Sequence, residues 1–164
     1  MANALLIGRF HAVTRGQAAW LESLKNARVD RLIGVLTSAN HAGTRRNPLD
    51  ASTREGMLRA ALARTGKPFE VVRLDDVRDD AQWVEHVLTH VGTALGKRPT
   101  PADTAVYSAS REVDALFAQR GFAVVATDVE GLTPHELVQK IAAGRPWEAE
   151  ASPKTIQIYH HPKI

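Results

Sequence analysis

The sequence predicts an α/β fold: a doubly wound parallel sheet of five strands with helices on both faces and a short C-terminal extension. Three observations predict it. Strand-like and helix-like stretches alternate along nearly the whole chain. Several of the strand-like stretches are unbroken apolar runs rich in Val and Ile, as expected when both sheet faces are covered. Glycine, proline and N-cap residues stand at the ends of the helical stretches, where they stop and start helices. Strands separated by helices imply right-handed crossovers and parallel neighbours.

The first strand reads at residues 4–8 and breaks at Gly8. The chain then passes Arg9 and Phe10 and enters a helix over 15–25, whose apolar face is Ala18, Leu21 and Leu24 with Trp20. A strand, a glycine turn and a helix N-terminus in succession can hold an anion, because the first-turn amides lack intrahelical acceptors. Thr14, Gly16 and Gln17 fall on that turn. Taken alone, the stretch reads equally well as an ordinary strand-to-helix turn. The second strand, 31–36, leads through a loop to a helix over 52–64 that Gly66 and Pro68 end. Met57, Leu58, Ala61 and Leu62 form its apolar face.

The third strand, 69–74, precedes a helix over 81–95. Between them lie Asp75, Asp76, Asp79 and Asp80, which read as N-capping and solvated charge in preference to a cation site. The fourth strand, 104–108, leads to a helix over 111–119 that Gly121 ends. The fifth, 123–127, leads to a helix over 133–143 with Thr133 as N-cap, Pro134 at N1 and Glu136 at N3, a capping box. In the tail, Ile156 and Ile158 alternate with Gln157 and Tyr159, the pattern of a short final strand or edge segment. His160 and His161 would then face opposite ways and share no metal. Residues 8, 37–47, 75–80 and 108–111 all follow strands, and ligands bind such sheets beyond the strand C-termini.

At 164 residues the chain reads as one domain over 1–164, large enough to bury a core. With no cysteine, disulfides, thiolate metal sites and cysteine nucleophiles are excluded. No apolar run approaches a membrane span. The start, MANALLIGRF, reads as a strand and not as a signal peptide, which makes the cytoplasm the expected compartment. The net charge is +3 and the pI about 9.5. The arginines are scattered and aromatics do not alternate with them, which suits a small anionic ligand at least as well as a polynucleotide; the expected partners are small-molecule nucleotides, with no nucleic acid and no membrane. The sequence leaves a homo-oligomer open.

Neither GxGxxG nor GxxxxGK[ST] is present. What stands after the first strand is GRFHAVTRGQ, from Gly8 to Gln17. It resembles the GRFxPxHxGH opening of the nucleotidylyltransferase superfamily, and of the archaeal-type nicotinamide-mononucleotide adenylyltransferases in particular. Thr14 and Gln17 occupy the positions of the two motif histidines. Ser38, Ala39, Arg46, Asn47, Pro48 and Arg54 resemble the family's second loop and helix, in which Arg46 is implied to contact phosphate. Trp83 and Val84 match a run whose tryptophan stacks on the nicotinamide ring. Asp80 stands there in place of an asparagine that holds the carboxamide. Tyr107, Ser108, Val113, Leu116 and Phe117 match the fourth motif, with Ala109 and Ser110 replacing Gly-Asn and Arg111 beside them. Thr133 matches the serine of the fifth motif. Its phosphate-gripping arginine is replaced by Val138, with Lys140 two residues on.

The resemblance implies a Rossmann-like fold and ATP with Mg²⁺ as cofactors. It also implies attack of the phosphate of nicotinamide mononucleotide, or of a related phosphomonoester, on the α-phosphorus of ATP. By this comparison Thr14, Gln17 and Arg9 are the catalytic residues. Gly8, Phe10, Gly16, Arg46, Asp80, Trp83, Ser108, Ser110, Arg111 and Thr133 line the nucleotide sites, and no protein metal ligand is implied. Because Gln17 and Val138 are neutral where the family is charged, two alternatives stand beside it. One is a nucleotide-binding or sensor domain with little turnover. The other is a nucleotidylyltransferase with a different acceptor, or with CTP in place of ATP.

Overall fold

The computed structural model describes residues 2–44, 47–76, 80–108, 110–126 and 133–160, and at 80, 81 and 126 the backbone alone. Five strands form one sheet: β1 (Asn3–Gly8), β2 (Arg31–Leu36), β3 (Phe69–Arg73), β4 (Thr104–Ser108) and β5 (Ala123–Ala126). Neighbours are parallel throughout, in the order β3-β2-β1-β4-β5. The crossovers carry α1 (Arg15–Ser23), extended by a 3₁₀ turn at Leu24–Asn26, then α2 (Ala51–Ala63), α3 (Asp80–Leu95) and α4 (Arg111–Ala118). After β5 come α5 (Pro134–Ala142) and α6 (Pro153–His160).

Alternate side chains of each strand feed two cores, one on each sheet face. Ala4, Leu6, Leu32 and Leu36 pack against Leu21 and Leu24 of the first crossover and Leu58 and Leu62 of α2. Leu5, Ile7, Ile33, Val35 and Val106 pack against Val84, Val87, Leu88 and Val91 of α3 and Phe117 of α4. This is the double winding that the alternation predicts.

The winding also fixes where the sheet opens. From β1 the chain moves outward to β3, crosses back, and continues outward through β4 and β5. Helices therefore leave opposite faces at β1 and β4, and a crevice opens above their C-terminal ends. The register makes that rim level, with Ile7 opposite Val35 on one side and Ser108 on the other.

The tail departs from expectation. Residues 153–160 form α6, not a strand. The signal was local: the Ser152 hydroxyl accepts from the Thr155 N–H at 3.2 Å, and Pro153 sits at the first helical position. Ile156 and Tyr159, three apart, share a helix face and join a third cluster with Ala12, Leu137, Val138, Trp147 and Ala151. His160 stacks on Trp147 at 5.3 Å and pairs with Glu148, and His161 lies outside the described residues.

Candidate active site

Above the ends of β1 and β4 lies a cavity of about 900 Å³, lined by residues of both strands, of the loops that follow them and of α1, α3, α4 and α5. That is near the top of the range for ligand pockets, roughly 300–1,000 Å³, and leaves room for more than one mononucleotide-sized group.

The β1–α1 loop forms its floor. Gly8 brings the backbone close to the Phe10 ring: a Cβ at that position would lie 3.3 Å from it, so the ring would have to give by a few tenths of an ångström. Phe10 itself takes φ +56°, an unusual conformation for a bulky residue, and is buried. Ser38, after β2, takes φ +52°. Both are held by one side chain. Arg54 of α2 is fully buried, and all five of its N–H groups reach backbone carbonyls. Nη1 donates to Arg9 O at 3.2 Å and Thr37 O at 2.9 Å. Nη2 donates to Ser38 O at 2.9 Å and His41 O at 3.1 Å, and Nε to Asp50 O at 3.4 Å. Desolvation lowers its pKa, yet a guanidinium so placed keeps its proton. A fixed positive charge therefore lies beneath the cavity.

His11, which sequence reasoning did not single out, lines the same floor and is 4% exposed. Leu49 N–H donates to its Nδ1 at 3.3 Å, so Nε2 carries the proton and donates to Asn47 Oδ1 at 3.2 Å. Burial, with Arg54 nearby, lowers its pKa to about 4, so it is neutral at pH 7. Arg9 Nη1 donates to the same Asn47 oxygen at 3.4 Å, which ties the two loops together.

Most of the residues expected from the sequence converge here. Gly8, Arg9, Phe10, Gln17, Trp83, Ser108, Ser110, Arg111 and Thr133 all line the cavity. Thr14 and Gly16 are not among the lining residues. Thr14 is buried, and its hydroxyl caps α1 by accepting from Gln17 N–H at 2.9 Å. Gln17 Oε1 is withdrawn from water and has no hydrogen-bond partner among the described residues. Trp83 combines two roles, packing edge-on against Phe117 at 6.0 Å while facing the cavity. Ser110 caps α4 through Val113 N–H at 3.3 Å, and Ser108 accepts from Ser110 N–H at 2.9 Å. Thr133 and Glu136 form the expected capping box. Val138 is buried and lines the wall, while Lys140 reaches Glu150 at 3.2 Å and so has its charge already engaged. Arg46 and the Asp80 side chain lie outside the described residues.

Asp76 also lines the cavity. It accepts from Ser38 Oγ at 2.8 Å and faces His41 Nε2 at 3.0 Å. Among the described residues no group of three or more His, Asp or Glu side chains could hold a metal ion. No helix among the described residues is long and apolar enough to cross a membrane.

No family model matches the chain. A nicotinamide-nucleotide adenylyltransferase from Methanoculleus marisnigri is 33% identical over 96% of this chain and 90% of its own length. The chain belongs to the nicotinamide-nucleotide adenylyltransferase family. A second adenylyltransferase of that name, from Methanocorpusculum labreanum, is 33% identical over 95% of this chain and 88% of its own. Among solved structures, a bifunctional NMN adenylyltransferase/ADP ribose pyrophosphatase from Francisella tularensis superposes with a TM-score of 0.75 at 15% identity. The match covers 97% of this chain but 48% of that one, and it shows the shared fold. A structure of the same Francisella protein with AMP and manganese gives a TM-score of 0.69 at 17% identity, over 92% of this chain and 44% of that one.

Proposed function

We propose that the chain transfers the adenylyl group of ATP to nicotinamide mononucleotide, forming NAD and pyrophosphate. The observation that carries this is the cavity at the β1–β4 switch point, whose walls include Gly8, Arg9, Phe10, Trp83, Ser108 and Thr133 from four of the motif segments. A phosphate oxygen of the mononucleotide attacks the α-phosphorus. A new P–O bond forms as the bond to the bridging α–β oxygen breaks, and pyrophosphate leaves with that electron pair. No protein nucleophile is required. Catalysis then rests on in-line positioning and on stabilising charge on the phosphates.

Arg9, with Arg46, binds phosphate oxygens by bidentate-capable forks. Gln17, the residue of the first turn of α1 that lines the cavity, faces the triphosphate. Arg54 adds a fixed positive field from below, and the neutral imidazole of His11 orients Asn47. Trp83 stacks under the pyridine ring, while Ser108, Ser110 and Arg111 hold the adenosine side and Thr133 closes the wall opposite. Mg²⁺ on the triphosphate oxygens would neutralise charge that develops on the leaving pyrophosphate.

Turnover is slower than a full set of charged donors would give. Gln17 offers an amide where a charged donor would do more, and Val138 with Leu137 and Trp147 makes that wall apolar. The same observation supports a second reading, a nucleotide-binding domain with little turnover. Incubating the protein with Mg²⁺, ATP and the mononucleotide decides between them. Stoichiometric NAD and pyrophosphate support the transferase. Saturable ATP binding without either product supports the second reading. For the transferase, Gln17→Ala should lower kcat by about 10²-fold, the scale of losing one donor at a developing charge.

A further inference from the structure

The cavity holds an acidic side chain, Asp114, whose Oδ1 is buried and has no hydrogen-bond partner among the described residues. Asp114 lies on α4, three residues before Phe117, and lines the cavity. Residues three apart share a helix face, and side chains lean toward the helix N-terminus. Asp114 therefore stands one turn nearer the rim than Phe117, the ring against which Trp83 packs at 6.0 Å. Burial raises the pKa of Asp114. A carboxylate oxygen buried without a partner is costly to the folded protein unless a donor arrives with the ligand.

We infer that Asp114 accepts a hydrogen bond from the carboxamide NH₂ of the nicotinamide ring on Trp83, and so selects the amide over the carboxylic acid form of the mononucleotide. The inference rests on the proposed placement of that ring at Trp83. A carboxylate can only accept. The carboxamide brings two N–H donors, whereas the acid analogue brings a second negative charge into a partly dehydrated site. Like charges at close range in such surroundings repel strongly, and discrimination of this kind works through the rejected ligand as much as the favoured one.

The test is kcat/KM for nicotinamide mononucleotide and for nicotinic acid mononucleotide, at saturating Mg²⁺ and ATP, in the parent protein and in Asp114→Asn. The parent should favour the amide by about tenfold or more. Asp114→Asn, which can also donate, should shrink that preference by about tenfold, mainly through KM of the acceptor, with KM for ATP unchanged. An unchanged ratio, equal losses on both acceptors, or a shift confined to ATP would overturn the inference while leaving the transferase intact. A parent protein that converts neither acceptor would instead overturn the activity itself. If the variant loses turnover, equilibrium binding of the two mononucleotides, read by quenching of tryptophan fluorescence, reports the same ratio. Asp114→Ala serves as a second variant: it should lose affinity for the amide and, with the repelling charge gone, gain affinity for the acid.

Discussion

Arg54 joins five carbonyls from segments that lie 4 to 45 residues away in the chain. Two of them belong to Arg9 and Ser38, at or beside the two non-glycine residues with positive φ among those described. The guanidinium thus holds in place a floor that the backbone would not adopt unaided. Arg54→Met should destabilise the fold by about 3 kcal/mol or more, because charge-assisted bonds are lost and buried carbonyls are left unpaired. Urea unfolding measures this, and Arg54→Lys should recover part of it without the fork geometry. His11 gives a pH signature. Its folded pKa of about 4 lies below its ordinary 6.5, so between those values the unfolded chain takes up a proton that the folded chain refuses. The stability this provides is complete above about pH 6.5 and falls away as pH drops toward 4, by about 3 kcal/mol in all. In His11→Gln the stability profile over that window should be correspondingly flatter. Part of this is legible in the sequence. GRF, Arg54, Trp83 and Ser108 match motif positions and Gln17 occupies one, but the five carbonyls that Arg54 joins, and the places of His11 and Asp114, depend on long-range burial that no local pattern records.

At the scale of elements, strands and crossover helices were readable because each carries its own periodicity and punctuation. β2 and β4 fall where the apolar runs place them, and Gly66, Gly121 and Gly144 take the positive φ that follows a helix end. α6 was misread because Ile156 and Ile158 satisfy a period of two, and over eight residues that competes evenly with a period of 3.6. Packing decides it. On a helix, Thr155 and Tyr159 fall one turn apart and face the β1–α1 loop together. The Thr155 hydroxyl accepts from Val13 N–H at 3.0 Å, and Tyr159 Oη donates to His11 O at 2.7 Å. α6 therefore backs the loop that forms the cavity floor. Tyr159→Phe should cost about 1 kcal/mol, seen as a lower denaturation midpoint with an unchanged m value. It should also raise KM for ATP, because the loop that presents Arg9 is less firmly held.

For the whole molecule, the strand order matters more than any single residue. Reversal of direction between β1 and β4 places α1 on one sheet face and α3 with α4 on the other, so the cavity is walled from both sides. Gln17 and Asp114, each with a buried oxygen that finds no partner among the described residues, lie on opposite walls. Both walls contribute to one ligand site, so substrates should stabilise the fold as a unit. ATP at about 100 times its Kd should add about 2.7 kcal/mol, raising Tm by about 5–10 °C in a chain of this size. On the proposed function, this cavity passes an adenylyl group directly between two substrates. Single-turnover reaction of the protein with α-³²P-labelled ATP, Mg²⁺ and nicotinamide mononucleotide tests it most directly. Label should appear in NAD, with one unlabelled pyrophosphate released per turnover and no label on the protein. Bound ATP that yields no pyrophosphate, or label covalently attached to the chain, would contradict it.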